Sequence, residues 1–106
     1  MTELENKKFL TTLGLCAKAR KLVFGTDQIC DALREGKTVF LVLEASDTSP
    51  NTHKRLTDRT SYYGVRHVRI DADTVTLGAA VGKKTAVAAV AITDGGLCRA
   101  VEQKLV

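Results

Sequence analysis

Two stretches of this chain, Thr38-Val-Phe-Leu-Val-Leu-Glu-Ala45 and Ala86-Val-Ala-Ala-Val-Ala-Ile92, constrain its fold more than anything else in it. Both are nearly continuous apolar runs, and the first is rich in residues that favour extended backbone. That pattern belongs to strands covered on both faces rather than to strands with one side open to water. A sheet built around such strands needs a layer of helices above it and another below. The alanines of the second run imply that those helices approach closely.

The rest of the chain supplies the helices. Phe9, Leu10, Leu13, Cys16 and Ala17 recur at helical spacing, which predicts a first amphipathic helix over residues 2–20. Leu22-Val-Phe24 reads as a short extended piece. Ile29, Ala32 and Leu33 mark a second helix, with Thr26 available as its N-cap and Gly36 placed to end it. The turn formers Ser46 to Asn51 include the only proline, and residues 52–63 follow as a largely exposed third helix with Leu56 and Tyr63 as its main apolar residues. Residues 65–70 form a strand interrupted by Arg66, His67 and Arg69, which suits a peripheral position. Asp73 caps a fourth helix over 74–81, and Lys83-Lys84-Thr85 makes a tight basic loop. After the second apolar strand, Asp94 opens a last amphipathic helix that runs to the end. The expected architecture is a three-layer α/β/α sandwich with a small mixed sheet of about four strands, in one domain over residues 1–106.

Several functions are disfavoured by what is missing. No apolar run approaches the roughly 20 residues of a membrane span, and the first residues lack the basic-then-apolar order of a signal peptide, so a cytoplasmic protein is expected. Cys16, Cys30 and Cys98 are odd in number and far apart, a pattern of buried thiols rather than of a disulfide framework or a zinc site. His53 and His67 read as surface hydrogen-bonding residues with no third ligand beside them at metal spacing, so neither metal nor cofactor is expected. Asp47 follows the central strand, where open α/β sheets often bind ligands. It has no glycine-rich phosphate fingerprint, serine elbow or paired carboxylate with it, and is expected to cap or turn the chain rather than catalyse.

A net charge of +4 fits an anionic partner without requiring one. Its distribution says more: Lys18, Arg20 and Lys21 form one cluster, His53, Lys54, Arg55 and Arg59 a second, Lys83 and Lys84 a third. The first cluster leads directly into Gly25-Thr26-Asp27-Gln28, a helix start whose backbone N–H groups suit phosphates and base edges. With no tryptophan and only Tyr62 and Tyr63 as tyrosines, a stacking platform for single strands is disfavoured. Recognition of structured RNA by shape fits better.

Three motifs in order, Gly25-Thr26-Asp27-Gln28-x-x-Asp31, Ala45-Ser-Asp47-x-Ser-Pro-Asn-Thr52 and Leu77-Gly78-x-Ala80-x-Gly82-Lys83, resemble the L-seven-Ae-type ribosomal protein superfamily over nearly the whole chain. The resemblance implies a non-enzymatic binder of kink-turn or rRNA-like RNA, working among ribosomal or other ribonucleoprotein components. It also implies two adjacent contact segments, the helix start at Gly25, Thr26, Asp27 and Gln28 and the loop at Lys83, Lys84 and Thr85, with Lys21 as a nearby cation. The family's usual first segment is Gly-Thr-Asn-Glu-x-x-Lys. Here Asp27 loses an amide donor, and Gln28 exchanges a charged acceptor for a neutral amide. Asp31 puts an anion where the family has a cation, and that should repel phosphate. The alternative expectation is a protein-interaction adaptor that keeps the fold without kink-turn recognition.

Overall fold

In a computed structural model, which describes residues 2–105, helix and strand alternate along the chain. The elements are α1 (Glu3–Lys18), β1 (Leu22–Phe24), α2 (Thr26–Arg34), β2 (Leu41–Glu44), α3 (Pro50–Tyr63), β3 (Arg66–Arg69), α4 (Thr74–Ala80), β4 (Ala89–Ile92) and α5 (Gly95–Glu102). No helix among the described residues is long and apolar enough to cross a membrane.

The four strands form one mixed sheet in the order β1-β4-β2-β3. β2 runs parallel to β3 and antiparallel to β4, and β1 pairs antiparallel with β4. The two apolar runs are thus the two inner strands, and every residue of β2 and β4 is buried. β3 takes the edge position that its charged residues indicate. Side chains alternate between two cores. Leu41, Leu43, Val90 and Ile92 pack with Phe9, Leu13, Leu77 and Val101, so α1, α4 and α5 cover one face. Val42, Ala89 and Ala91 pack with Ile29, Leu33 and Leu56, so α2 and α3 cover the other. This is the three-layer sandwich that the apolar runs demand.

The differences from expectation are local. β2 and β4 each keep only four residues of their longer apolar runs. Phe40 is 44% exposed, and the backbone at Val87 turns to α4, where its N–H donates to the Thr74 carbonyl at 3.0 Å. α3 begins two residues before the expected boundary because Ser49 caps it and Pro50 occupies its first turn, where a missing N–H costs nothing. Thr60 rather than Tyr63 shares the buried face with Leu56, its hydroxyl donating to the Leu56 carbonyl at 2.7 Å.

Candidate nucleic-acid interface

Four of the five helices among the described residues begin with a side chain on their free N–H groups. Thr2 caps α1 in a reciprocal box with Glu5, Ser49 caps α3, Asp73 caps α4 and Asp94 caps α5. α2 differs, because its N-cap is Gly25 at φ 88°, and no side chain bonds its first turn. The sequence offers Thr26 for that role, but the structure makes Thr26 the first helical residue. Glycine is needed here, since any L side chain would be strained at that φ and its Cβ would stand 2.8 Å from the Gln28 Oε1. The Gly25 N–H itself donates to the Ala89 carbonyl at 3.0 Å, which fixes the helix start against the beginning of β4. The backbone donors of Thr26, Asp27 and Gln28 are left without a side-chain cap.

The loop between α4 and β4 is folded back along α4. The Lys83 N–H donates to the Gly78 carbonyl at 2.9 Å. Gly78 makes room for this return: a Cβ there would lie 2.3 Å from the Thr85 carbonyl oxygen. The loop brings the Lys83 ammonium 4.3 Å from the centre of the Phe24 ring, a cation–π contact at the end of β1 next to Gly25. Between them lies a groove of about 410 Å³, with Phe24 and Gly25 on one side and Lys83, Thr85 and Ala86 on the other. Lys84 is exposed beside it.

Lys21 is not brought to this groove. Its carbonyl accepts from Thr93 N–H beyond the far end of β4, so it sits four residues of extended chain, roughly 13 Å, from Gly25. The anions that distinguish the motif are compensated. Arg55 of α3 bonds Asp27 across the helix pair at 2.5 Å, and Arg34 bonds Asp31 at 3.0 Å. The hydrogen bond to Asp27, with the nearby Cys30 and Asp31, raises the pKa of Arg55. Exposed pairs of this kind contribute little stability, but they cancel much of the repulsion that Asp31 alone would present to phosphate. Arg55 lies 28 positions from its partner, so no local pattern announces the contact.

Other candidate residues have structural roles. Asp47 accepts the Thr74 N–H at 2.7 Å and so pins the start of α4. All three cysteines are buried. Burial raises the Cys16 thiol, and burial together with a hydrogen bond to Glu102 pushes Cys98 up to about 11, away from the range of a reactive thiolate. His53 and His67 are not isolated, as the sequence alone implies. Both reach the fully buried Glu44, the one charged residue within the first apolar run, His53 Nδ1 at 2.8 Å and His67 Nε2 at 2.7 Å from its Oε1. The parallel register sets His67 opposite Val42, on the same face as Glu44, and the first turn of α3 brings His53 over them. Burial alone would raise the Glu44 pKa, but hydrogen bonds from Thr48, His53 and His67 outweigh it and hold the carboxyl below its usual range.

The model of the ribosomal protein L7Ae/L30e/S12e/Gadd45 family matches residues 7–102. The chain belongs to this family. It is similar to the RNA-binding protein YlxQ of Bacillus subtilis strain 168, with 40% identity over 84 residues, 79% of this chain and 81% of that protein. It is also similar to the RNA-binding protein YlxQ of Enterococcus faecium, with 35% identity over 61% of this chain and 62% of that one. Among solved structures, a Bacillus halodurans protein of unknown function superposes with a TM-score of 0.82 at 33% identity, covering 92% of this chain and 96% of its own. The Giardia lamblia 15.5kD RNA binding protein superposes with a TM-score of 0.80 at 20% identity, covering 99% and 88%, a likeness of fold. The family match and both superpositions therefore extend across all three layers.

Proposed function

We propose that this L7Ae-family protein is a non-enzymatic, cytoplasmic RNA-binding protein that recognises kink-turn-like RNA in a ribosome- or translation-associated particle. The observation that carries this reading is the uncapped start of α2 beside the Lys83 loop. Uncapped backbone donors thus stand next to a groove lined by a cation, the arrangement that phosphates and the edges of non-Watson–Crick bases require. The kinship with proteins named as RNA-binding supports it.

The mechanism is selection of a bent state. The α2 start engages one arm of the kink while the Lys83-Lys84-Thr85 loop engages bases displaced from it. A protein that contacts both at once binds the folded junction more tightly than the extended one and shifts the population toward it. Gln28 offers both donor and acceptor to base edges, and Arg55 keeps Asp27 from standing as a bare anion.

The test is a calorimetric or gel-shift titration of the purified protein with a standard kink-turn RNA, with a control lacking the tandem G·A pairs, at two salt concentrations. The expected result is selective binding that weakens steeply with salt. Absence of binding at low salt overturns the reading and turns attention to a protein partner.

A further inference from the structure

We propose that Glu44, His53 and His67 bind a divalent transition-metal ion of the zinc class, with three protein ligands and one position left to solvent. The proposal is independent of the RNA reading, because it uses none of the groove residues.

The three donors come from three elements, Glu44 from the end of β2, His53 from the first turn of α3 and His67 from β3, and their donor atoms lie within 4.8 Å of one another. Two imidazoles with one carboxylate are a donor set suited to zinc, cobalt or nickel. The carboxylate is already divided between two tasks. Its Oε2 receives the Thr48 hydroxyl and has Arg69 Nε at 3.9 Å, while its Oε1 stands 2.8 Å from His53 Nδ1 and 2.7 Å from His67 Nε2. Thr48 and Arg69 thus orient the group from behind and leave one oxygen for the ion, the kind of support that ligating carboxylates receive from outer partners. His53 Nδ1 also lies 3.0 Å from Oε2, so this nitrogen faces both carboxylate oxygens.

Ligand atoms around a tetrahedral ion with bonds near 2.0–2.1 Å stand about 3.3 Å apart, so the oxygen–nitrogen gaps would open by roughly half an ångström and the two ring nitrogens, now within 4.8 Å of one another, would draw together by up to about 1.5 Å as the His53 ring turns inward. Each imidazole would carry its proton on the other ring nitrogen and present a lone pair in place of the N–H that now faces Glu44. No net proton release is required when both rings start neutral. The His53 side chain is 42% exposed and that of His67 is 12% exposed, so the ion has an approach past His53 while Glu44 stays enclosed. Satisfying the fold does not explain Glu44, since an apolar residue would fill a buried inner-strand position at no desolvation cost. Bound there, the ion would clamp the first turn of α3 to β2 and β3.

The experiment uses the untagged, chelator-treated chain. Zinc titrated by calorimetry should bind one ion per chain and raise the melting temperature. Cobalt should give the visible bands of a tetrahedral centre without thiolate charge transfer, and should broaden or shift the imidazole proton signals of both histidines, the only two in the sequence. His53→Asn, at the most exposed ligand, should weaken the metal at least about tenfold. Saturable binding that His53→Asn leaves unchanged, or no saturable binding at all, overturns the proposal. If the variant fails to fold, the wild-type cobalt spectrum decides, because untouched imidazole signals overturn it equally.

Discussion

The starts of α2 and α4 occupy equivalent places in the topology, each following the end of a strand at the same end of the sheet, yet they are finished in opposite ways. At α4, Asp73 accepts the Thr76 N–H and Asp47 accepts the Thr74 N–H, both at 2.7 Å, so two carboxylates close the helix start. At α2, Gly25 stands where a cap would be and contributes no side-chain acceptor. Glycine in place of a capping side chain typically costs only a few tenths of a kcal/mol, which the fold bears at one helix only among those described. The same backbone donors thus serve stability at one site and remain available to a ligand at the other.

The comparison is most strongly tested where the loop joins the two sites. Gly78→Ala would place a Cβ 2.3 Å from the Thr85 backbone oxygen, which no side-chain rotation relieves. The loop must lift from α4 and withdraw Lys83 from Phe24. Denaturant melts should show a loss of about 2–3 kcal/mol, and RNA titration a collapse of binding. A variant with native stability and affinity would show that the loop's return along α4 does not build the groove.

Exchanging the two kinds of helix start is the next test. Gly25→Asp would strain the backbone at φ 88° and set a carboxylate over the open donors. RNA affinity should fall at least tenfold, about 1.4 kcal/mol. Asp73→Ala should do the reverse, lowering the melting temperature by about 5 °C and leaving RNA affinity nearly unchanged. Equal losses of affinity in the two variants would break the distinction. Acid offers a reversible version of the second change. Hydrogen bonding to the Thr76 backbone lowers the Asp73 pKa in the folded state, so its stabilisation is present above the unfolded value near 4 and is lost as pH falls through the folded one. Melting curves of wild type and Asp73→Ala should therefore begin to approach one another below about pH 4 and meet once the pH is under the lowered folded value.

These contrasts show which parts of the molecule were legible in the sequence. The buried inner strands followed from two unbroken apolar runs, and Asp73 and Asp94 were identifiable as caps because each precedes an amphipathic helix. The cap of α2 was not, since Gly25 and Thr26 both suit the position and only the backbone angle separates them. Lys21 stands four residues from Gly25 in sequence, but an extended strand turns that interval into distance, where a helical turn would have kept the two close. Arg55 with Asp27, and Glu44 with His53 and His67, join residues 9 to 28 positions apart across different elements. Periodicity carries no information on such pairs. The one local signal was Glu44 itself, a lone carboxylate inside an apolar run.

The smallest expected effect concerns how far the α2 start depends on its neighbouring charges. Asp31→Lys restores the cation that the family pattern carries one turn into the helix, and in an unpaired site it would strengthen phosphate binding outright. Here Asp31 already bonds Arg34, and its negative charge also acts on Arg55. The new lysine would therefore meet Arg34 three residues away, a repulsion of about 0.3 kcal/mol on the helix surface. It would also release Arg34 toward solvent as a second free cation. Both consequences lower helix stability slightly, whereas the new cation and the freed one act together on RNA, so affinity should rise by about two- to fivefold at low salt, with a steeper dependence on salt concentration. Titrations of both proteins across a salt series provide the measurement. An unchanged affinity with an unchanged salt slope would mean that this face of α2 lies away from the RNA, and that the open donors at Gly25 act without support from the helix beyond them.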